Sequence, residues 1–134
     1  GADLYGRSLD HARMNLRDAG LADAVTLKQA NLLELAAPAP SGVLVTNPPY
    51  GVRLGEKEKL ARFYPQLGDV LKRRFAGWTA YIFSGDPDIA RLIRLQATRR
   101  TVLYNGALEC RLYEYRMVEG GNRPRTGAAR GTRA

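Results

Sequence analysis

The sequence predicts an α/β fold in which a sheet with parallel strands is closed on one side by an antiparallel hairpin. Three observations carry this: an apolar repeat of helical period near the N-terminus, the unbroken apolar run Gly42 to Thr46, and two late strand-like runs separated by Asn105-Gly106. Strands alternating with helices make parallel pairing the expected arrangement, and the closing hairpin adds antiparallel strands.

From Tyr5 to Ala19, the residues Leu9, Ala12, Leu16 and Ala19 recur at helical spacing, and Gly20 supplies the stop. Ala24 to Gln29 is short, β-branched and alternating, and reads as a strand. Asn31 to Leu35 has room for one helical turn, because prolines at 38 and 40 exclude a longer helix. Gly42 to Thr46 reads as a strand buried on both faces of a parallel sheet. Beyond the loop Asn47-Pro48-Pro49-Tyr50-Gly51, an apolar stripe from Leu60 to Phe75 predicts a helix over about 58–75, ended by Gly77. Thr79 to Phe83 follows as a strand, Asp86 to Leu95 as a helix with Pro87 in its first turn, then strands at about 100–104 and 108–118. Asn105 and Gly106 both tolerate positive φ and form the hairpin signal between these last two.

The chain has 134 residues and a formal net charge of +8, with 21 Lys and Arg against 13 Asp and Glu. About half of that excess lies in the last residues, where Arg123, Arg125, Arg130 and Arg133 occur without an acid. Residues 120–134 therefore read as a basic flexible tail or linker, and residues 1–119 as the folded part. The charge suits a polyanionic partner, although a solvated surface gives the same count. Cys110 is the only cysteine, which excludes an intrachain disulfide and fits a reducing, cytoplasmic setting. No apolar run reaches the roughly 18 residues that a membrane span needs. His11 lacks a metal-ligand companion and reads as a helix-surface residue; Cys110, alternating with Leu108 and Leu112, reads as a buried structural thiol, and Tyr104, Tyr113 and Tyr115 as strand packing residues.

Asn47-Pro48-Pro49-Tyr50 is chemically the most specific stretch. Two prolines hold the backbone extended and remove two N–H donors, so the loop offers mainly acceptors. The carbonyls of Asn47 and Pro48, with the Asn47 side-chain oxygen, can accept both N–H groups of an exocyclic amine. An aromatic-ring amine is a poor nucleophile because its lone pair is delocalised. Acceptors that hold its hydrogens localise that pair and stabilise the positive charge that develops, so no general base is needed before attack. Tyr50 offers a flat face on which an extruded base can lie.

These residues resemble the class I S-adenosylmethionine-dependent methyltransferases, in particular the THUMP-associated RNA guanine N2-methyltransferases and the N2-guanine unit of the bacterial 23S rRNA large-subunit enzymes. The likeness runs to about Val118. It is carried by Gly1-Ala2-Asp3, by the helix end Ala12 to Gly20, and by Val45 to Leu54. Gly77-Trp78, Phe83-Ser84 and Asn105 to Cys110 add to it. The resemblance implies a Rossmann-like sheet, S-adenosylmethionine as cofactor and 23S rRNA as partner. In it Asp3 would accept from the cofactor ribose hydroxyls, Asn31, where the family usually has Asp, from the adenine amine, and Asn47 would share the cofactor side of the site. Pro48, Pro49 and Tyr50 would complete the catalytic loop, with Tyr50, Gly51 and Arg53 on the substrate side; a surface arginine is an equally good reading of Arg53.

In the resembling fold a first strand and a Gly-rich turn precede Asp3, and that strand lies between the strands ending at Asp3 and at Asn47. Neither is in this sequence. The expectation is therefore the C-terminal part of a catalytic domain, with poor cooperativity and negligible cofactor affinity alone, and with an upstream methyltransferase half and THUMP domain. Adenine N6, cytosine N4 and a glutamine side-chain amide are the alternative acceptors, and a non-catalytic RNA-binding remnant is the alternative class.

Overall fold

The computed structural model describes residues 1–48 and 56–119, and these fall into two units, Gly1–Ala36 and the chain from Ala37 onward. Among the described residues no helix is long and apolar enough to cross a membrane.

The first unit contains a two-residue strand β1 (Ala2–Asp3), helix α1 (Gly6–Asp18) and a second short strand β2 (Lys28–Gln29) parallel to β1, followed by a 3-10 turn at Leu32–Glu34. α1 ends as its sequence predicts. Gly20 takes φ 71°, the Leu21 N–H donates to the Leu16 carbonyl at 2.8 Å, and the Gly20 N–H to Arg17 at 3.0 Å. β2 is shorter than expected: of the run 24–29 only Lys28 and Gln29 pair, because β1 itself offers two residues to pair with.

In the second unit, strands β3 (Gly42–Thr46), β4 (Trp78–Ser84), β5 (Arg99–Asn105) and β6 (Leu108–Arg116) form one sheet in the order β3-β4-β6-β5. β3 and β4 run parallel with Thr46 opposite Ile82, and β6 is antiparallel to both β4 and β5. Helix α2 (Glu56–Arg74) supplies the covering stripe Leu60, Tyr64, Leu67 and Leu71, continued by Phe75, all buried. These meet the buried residues of the sheet, Ala80, Ile82, Tyr113 and Tyr115, in one core. Phe75 meets Trp78 edge to face at 5.5 Å, and the Trp78 indole N–H donates to the Ala39 carbonyl at 2.9 Å, tying the loop before β3 to the start of β4. α2 runs through Pro65, which leaves the Ala61 carbonyl without its helical donor.

Four further expectations need correction. The helix expected over 86–95 is only α3 (Ile89–Leu92). At its front the Asp86 carboxylate accepts the Asp88 N–H at 2.9 Å in a turn, and at its end Arg94 takes φ 56°, left-handed backbone that stops the helix. The hairpin turns on Gly106-Ala107 rather than Asn105-Gly106: Asn105 pairs with Leu108, and of these residues only Gly106 (φ 61°) is left-handed. β3 is not buried on both faces. Val43 and Val45 are 61% and 70% exposed, since no described element covers the face they share. Tyr104 is exposed on the edge strand β5, whereas Tyr113 and Tyr115 pack in the core as read. His11 is exposed on α1, and Cys110 is buried, as expected.

Candidate active site

In the first unit, the parallel pairing of β1 and β2 brings Asp3 and Asn31 to the C-terminal ends of neighbouring strands. The Ala30 N–H donates to the Asp3 carbonyl at 2.9 Å. Asp3 is half-buried, and its Oδ1 accepts the Tyr5 N–H at 2.8 Å, steering the chain into α1. One carboxylate oxygen is therefore used locally and the other remains to receive a hydroxyl. Asn31 caps the 3-10 turn: its Oδ1 accepts the Leu33 N–H at 3.0 Å. That is the oxygen an adenine amine would need, so an incoming donor must share it through its second lone pair.

In the second unit, Asn47 and Pro48 leave the C-terminal end of β3, Asn47 exposed and Pro48 buried. Asn47 follows Thr46, whose partner Ile82 lies two residues before the end of β4 at Ser84, so the start of the loop stands at the carboxyl edge of the parallel pair. Ligands in open α/β sheets bind at this edge. Pro49, Tyr50, Gly51 and Arg53 lie outside the described residues.

The same edge of the second unit carries a cavity of about 200 Å³ that sequence did not single out. Ser84, Asp86, Glu109 and Arg111 contribute its polar lining, with Cys110 and Tyr113 beside them. Ser84 is almost fully buried and its Oγ accepts the Asp86 N–H at 3.0 Å. Glu109 and Arg111 form an ion pair at 3.3 Å with both side chains about half exposed. The antiparallel return of β6 brings them here, with Arg111 directly opposite Ser84. The sequence signal was the place of Ser84, Glu109 and Cys110 in two of the stretches that carry the resemblance, Phe83-Ser84 and Asn105 to Cys110; Asp86 and Arg111 lie outside them. Among the described residues no cluster of His, Cys, Asp or Glu is arranged to hold a metal.

Polar acceptors at the carboxyl ends of parallel strands in each unit, with the second unit's sheet finished by an antiparallel hairpin, define a Rossmann-like α/β protein of the class I methyltransferase type. The comparisons agree. The structure of SMU.472 in complex with SAH superposes with a TM-score of 0.81 at 34% identity, over 87% of this chain and 31% of that one. A protein solved as a predicted N6-adenine-specific DNA methylase from Listeria monocytogenes gives 0.76 at 31% identity, over 87% and 30%. The model of the RMKL-like methyltransferase domain, UPF0020, matches residues 1–114, and the chain belongs to that family. A ribosomal RNA large subunit methyltransferase K/L of Shewanella loihica is 37% identical over 123 residues, 92% of this chain and 17% of its own length. The chain spans 17% to 30% of the length of the curated relatives it matches.

Proposed function

We propose that the protein carrying this chain transfers a methyl group from S-adenosylmethionine to the exocyclic N2 amine of a guanine in 23S rRNA. The observation that carries the reading is Asn47-Pro48 at the carboxyl end of a parallel strand in a chain of a methyltransferase-domain family. The relatives named as ribosomal RNA large subunit methyltransferases support rRNA as the substrate.

The residues present suit the cofactor. A half-buried carboxylate with one oxygen left over, at Asp3, matches a vicinal diol, and Asn31 beside it matches an adenine amine. When bound, the cofactor would supply an electrophilic methyl group, its S–CH3 bond breaking as the N–C bond forms so that it leaves as the neutral thioether. The chain's own part is to hold the acceptor. The Asn47 side-chain oxygen and the carbonyls of Asn47 and Pro48 accept the two amine hydrogens. They draw the lone pair onto nitrogen and offset the positive charge that appears as the N–C bond forms; the surplus proton then passes to water. Tyr50 supports the face of the base, and Arg53 meets a neighbouring phosphate.

The test is methyl transfer by the intact protein to rRNA, followed by nucleoside analysis. N2-methylguanosine is expected. The Listeria neighbour's name favours adenine N6 as the second reading, and N6-methyladenosine as product would replace the first with it. Asn47→Ala is expected to lower turnover by roughly 100-fold or more, the usual loss when a group stabilising developing charge is removed. Full turnover in that variant would reject the acceptor mechanism.

A further inference from the structure

The cavity at the end of β4 has no part in the chemistry above, yet its polar groups are ordered in a way that chemistry can use. Once acceptors from the Asn47 loop hold the N2 hydrogens of guanine, two groups of its Watson–Crick edge remain: the N1–H donor and the O6 acceptor. A base offered through an N6 amine presents the opposite, a bare N1 acceptor. Glu109 is an acceptor and Arg111 a donor. They lie two residues apart on β6, hence on one face of the sheet, and both line the cavity.

We propose that this cavity reads the target base, Glu109 accepting the guanine N1–H and Arg111 donating to O6. The inference rests on the guanine N2 reading above and names the residues that would enforce it. Placement supports it: Asn47 follows the last residue of β3, and Ser84, the last residue of the adjacent β4, stands directly opposite Arg111, so the loop and the cavity share one end of the sheet. The Glu109–Arg111 pair is half exposed and therefore weak, so redirecting it toward a base costs little. Ser84 and Asp86 form a rigid floor, because each is buried and each accepts a backbone N–H, from Asp86 and Asp88 respectively. Against adenine, the Glu109 carboxylate faces the N1 lone pair and repels it.

The test compares guanine with 2-aminopurine, which keeps the reactive amine but has a bare N1 and no O6. Each is placed at the methylated position of an rRNA fragment, once nucleoside analysis has located it, and turned over by the intact protein. The parent protein is expected to prefer guanine. In Glu109→Gln, whose amide can donate to a bare N1, the guanine to 2-aminopurine ratio of kcat/KM should fall roughly tenfold. Arg111→Met, which removes only the O6 donor, should lower guanine turnover and leave that of 2-aminopurine nearly unchanged. Both side chains are solvent-facing, so a thermal melt equal to the parent's is expected and separates recognition from unfolding. N2-methylguanosine as product with an unaltered ratio in both variants overturns the cavity assignment alone, whereas N6-methyladenosine from the parent overturns it together with the guanine reading.

Discussion

Tyr115 shows what a single buried residue can cost. Its side chain is fully buried beneath α2, and among the described residues its hydroxyl has no hydrogen-bond partner. Burial, reinforced by the neighbouring Tyr113, pushes its pKa well above the ordinary value near 10, and Arg100 offsets this only in part. The folded state therefore keeps the phenolic proton at a pH where the unfolded chain has released it. Stability contributed at this position is complete below about pH 10 and is lost as pH rises above that value. Tyr115→Phe removes an unsatisfied group, so at neutral pH it should leave stability unchanged or raise it by about 1 kcal/mol. Above pH 10 the variant's stability should fall less steeply than the parent's. Denaturant melts of the two proteins across pH 7 to about 11 check this, and a marked loss at neutral pH would reveal a hydrogen bond that Tyr115 does make. A tyrosine in a strand pattern is legible in sequence as a packing residue; the fate of its hydroxyl is not, because it depends on what α2 brings against it.

Among the elements, α2 was the most legible. Its stripe from Leu60 to Phe75 was readable because five side chains at helical spacing all have to be buried. The stripe predicts the helix straight through Pro65, although propensity disfavours proline inside a helix by about 3 kcal/mol. Burial of the stripe outweighs that cost. Gly68 has a similar lesson. A side chain there would collide with the backbone carbonyl of Ile93, so the glycine lets α2 approach the end of α3. Gly68→Ala should raise helix propensity and still destabilise, by about 2 to 4 kcal/mol, because a backbone oxygen cannot yield as a side chain can. Calorimetry is expected to show a melting temperature lower by roughly 10 °C; an unchanged value would mean that α3 shifts freely. α3 itself was misread in length, since a side-chain turn at Asp86 and left-handed backbone at Arg94 are local competitors that periodicity does not register.

At the scale of the whole molecule, charge is the property that composition alone supplies. With +8 on 134 residues and no acid among residues 120–134, binding to the proposed rRNA substrate should release counterions. Affinity measured by filter binding should fall at least about tenfold between roughly 50 and 200 mM salt. Salt-independent binding would place the recognition in apolar or base-edge contacts instead. The strands of the described residues form two separate sheets, β1-β2 and β3-β4-β6-β5. By itself, the sequence determined the element order from α1 onward, the Gly20 stop of α1, the hairpin and the acceptor-rich start of the loop at Asn47-Pro48, because each follows from local backbone chemistry and apolar period. Only the tertiary structure decided that β3 leaves Val43 and Val45 exposed, that Asn31 uses its oxygen as a cap, and that Glu109 and Arg111 share a cavity with Ser84. Those outcomes depend on strand order and register, which bring together residues far apart in the chain and which no local pattern encodes.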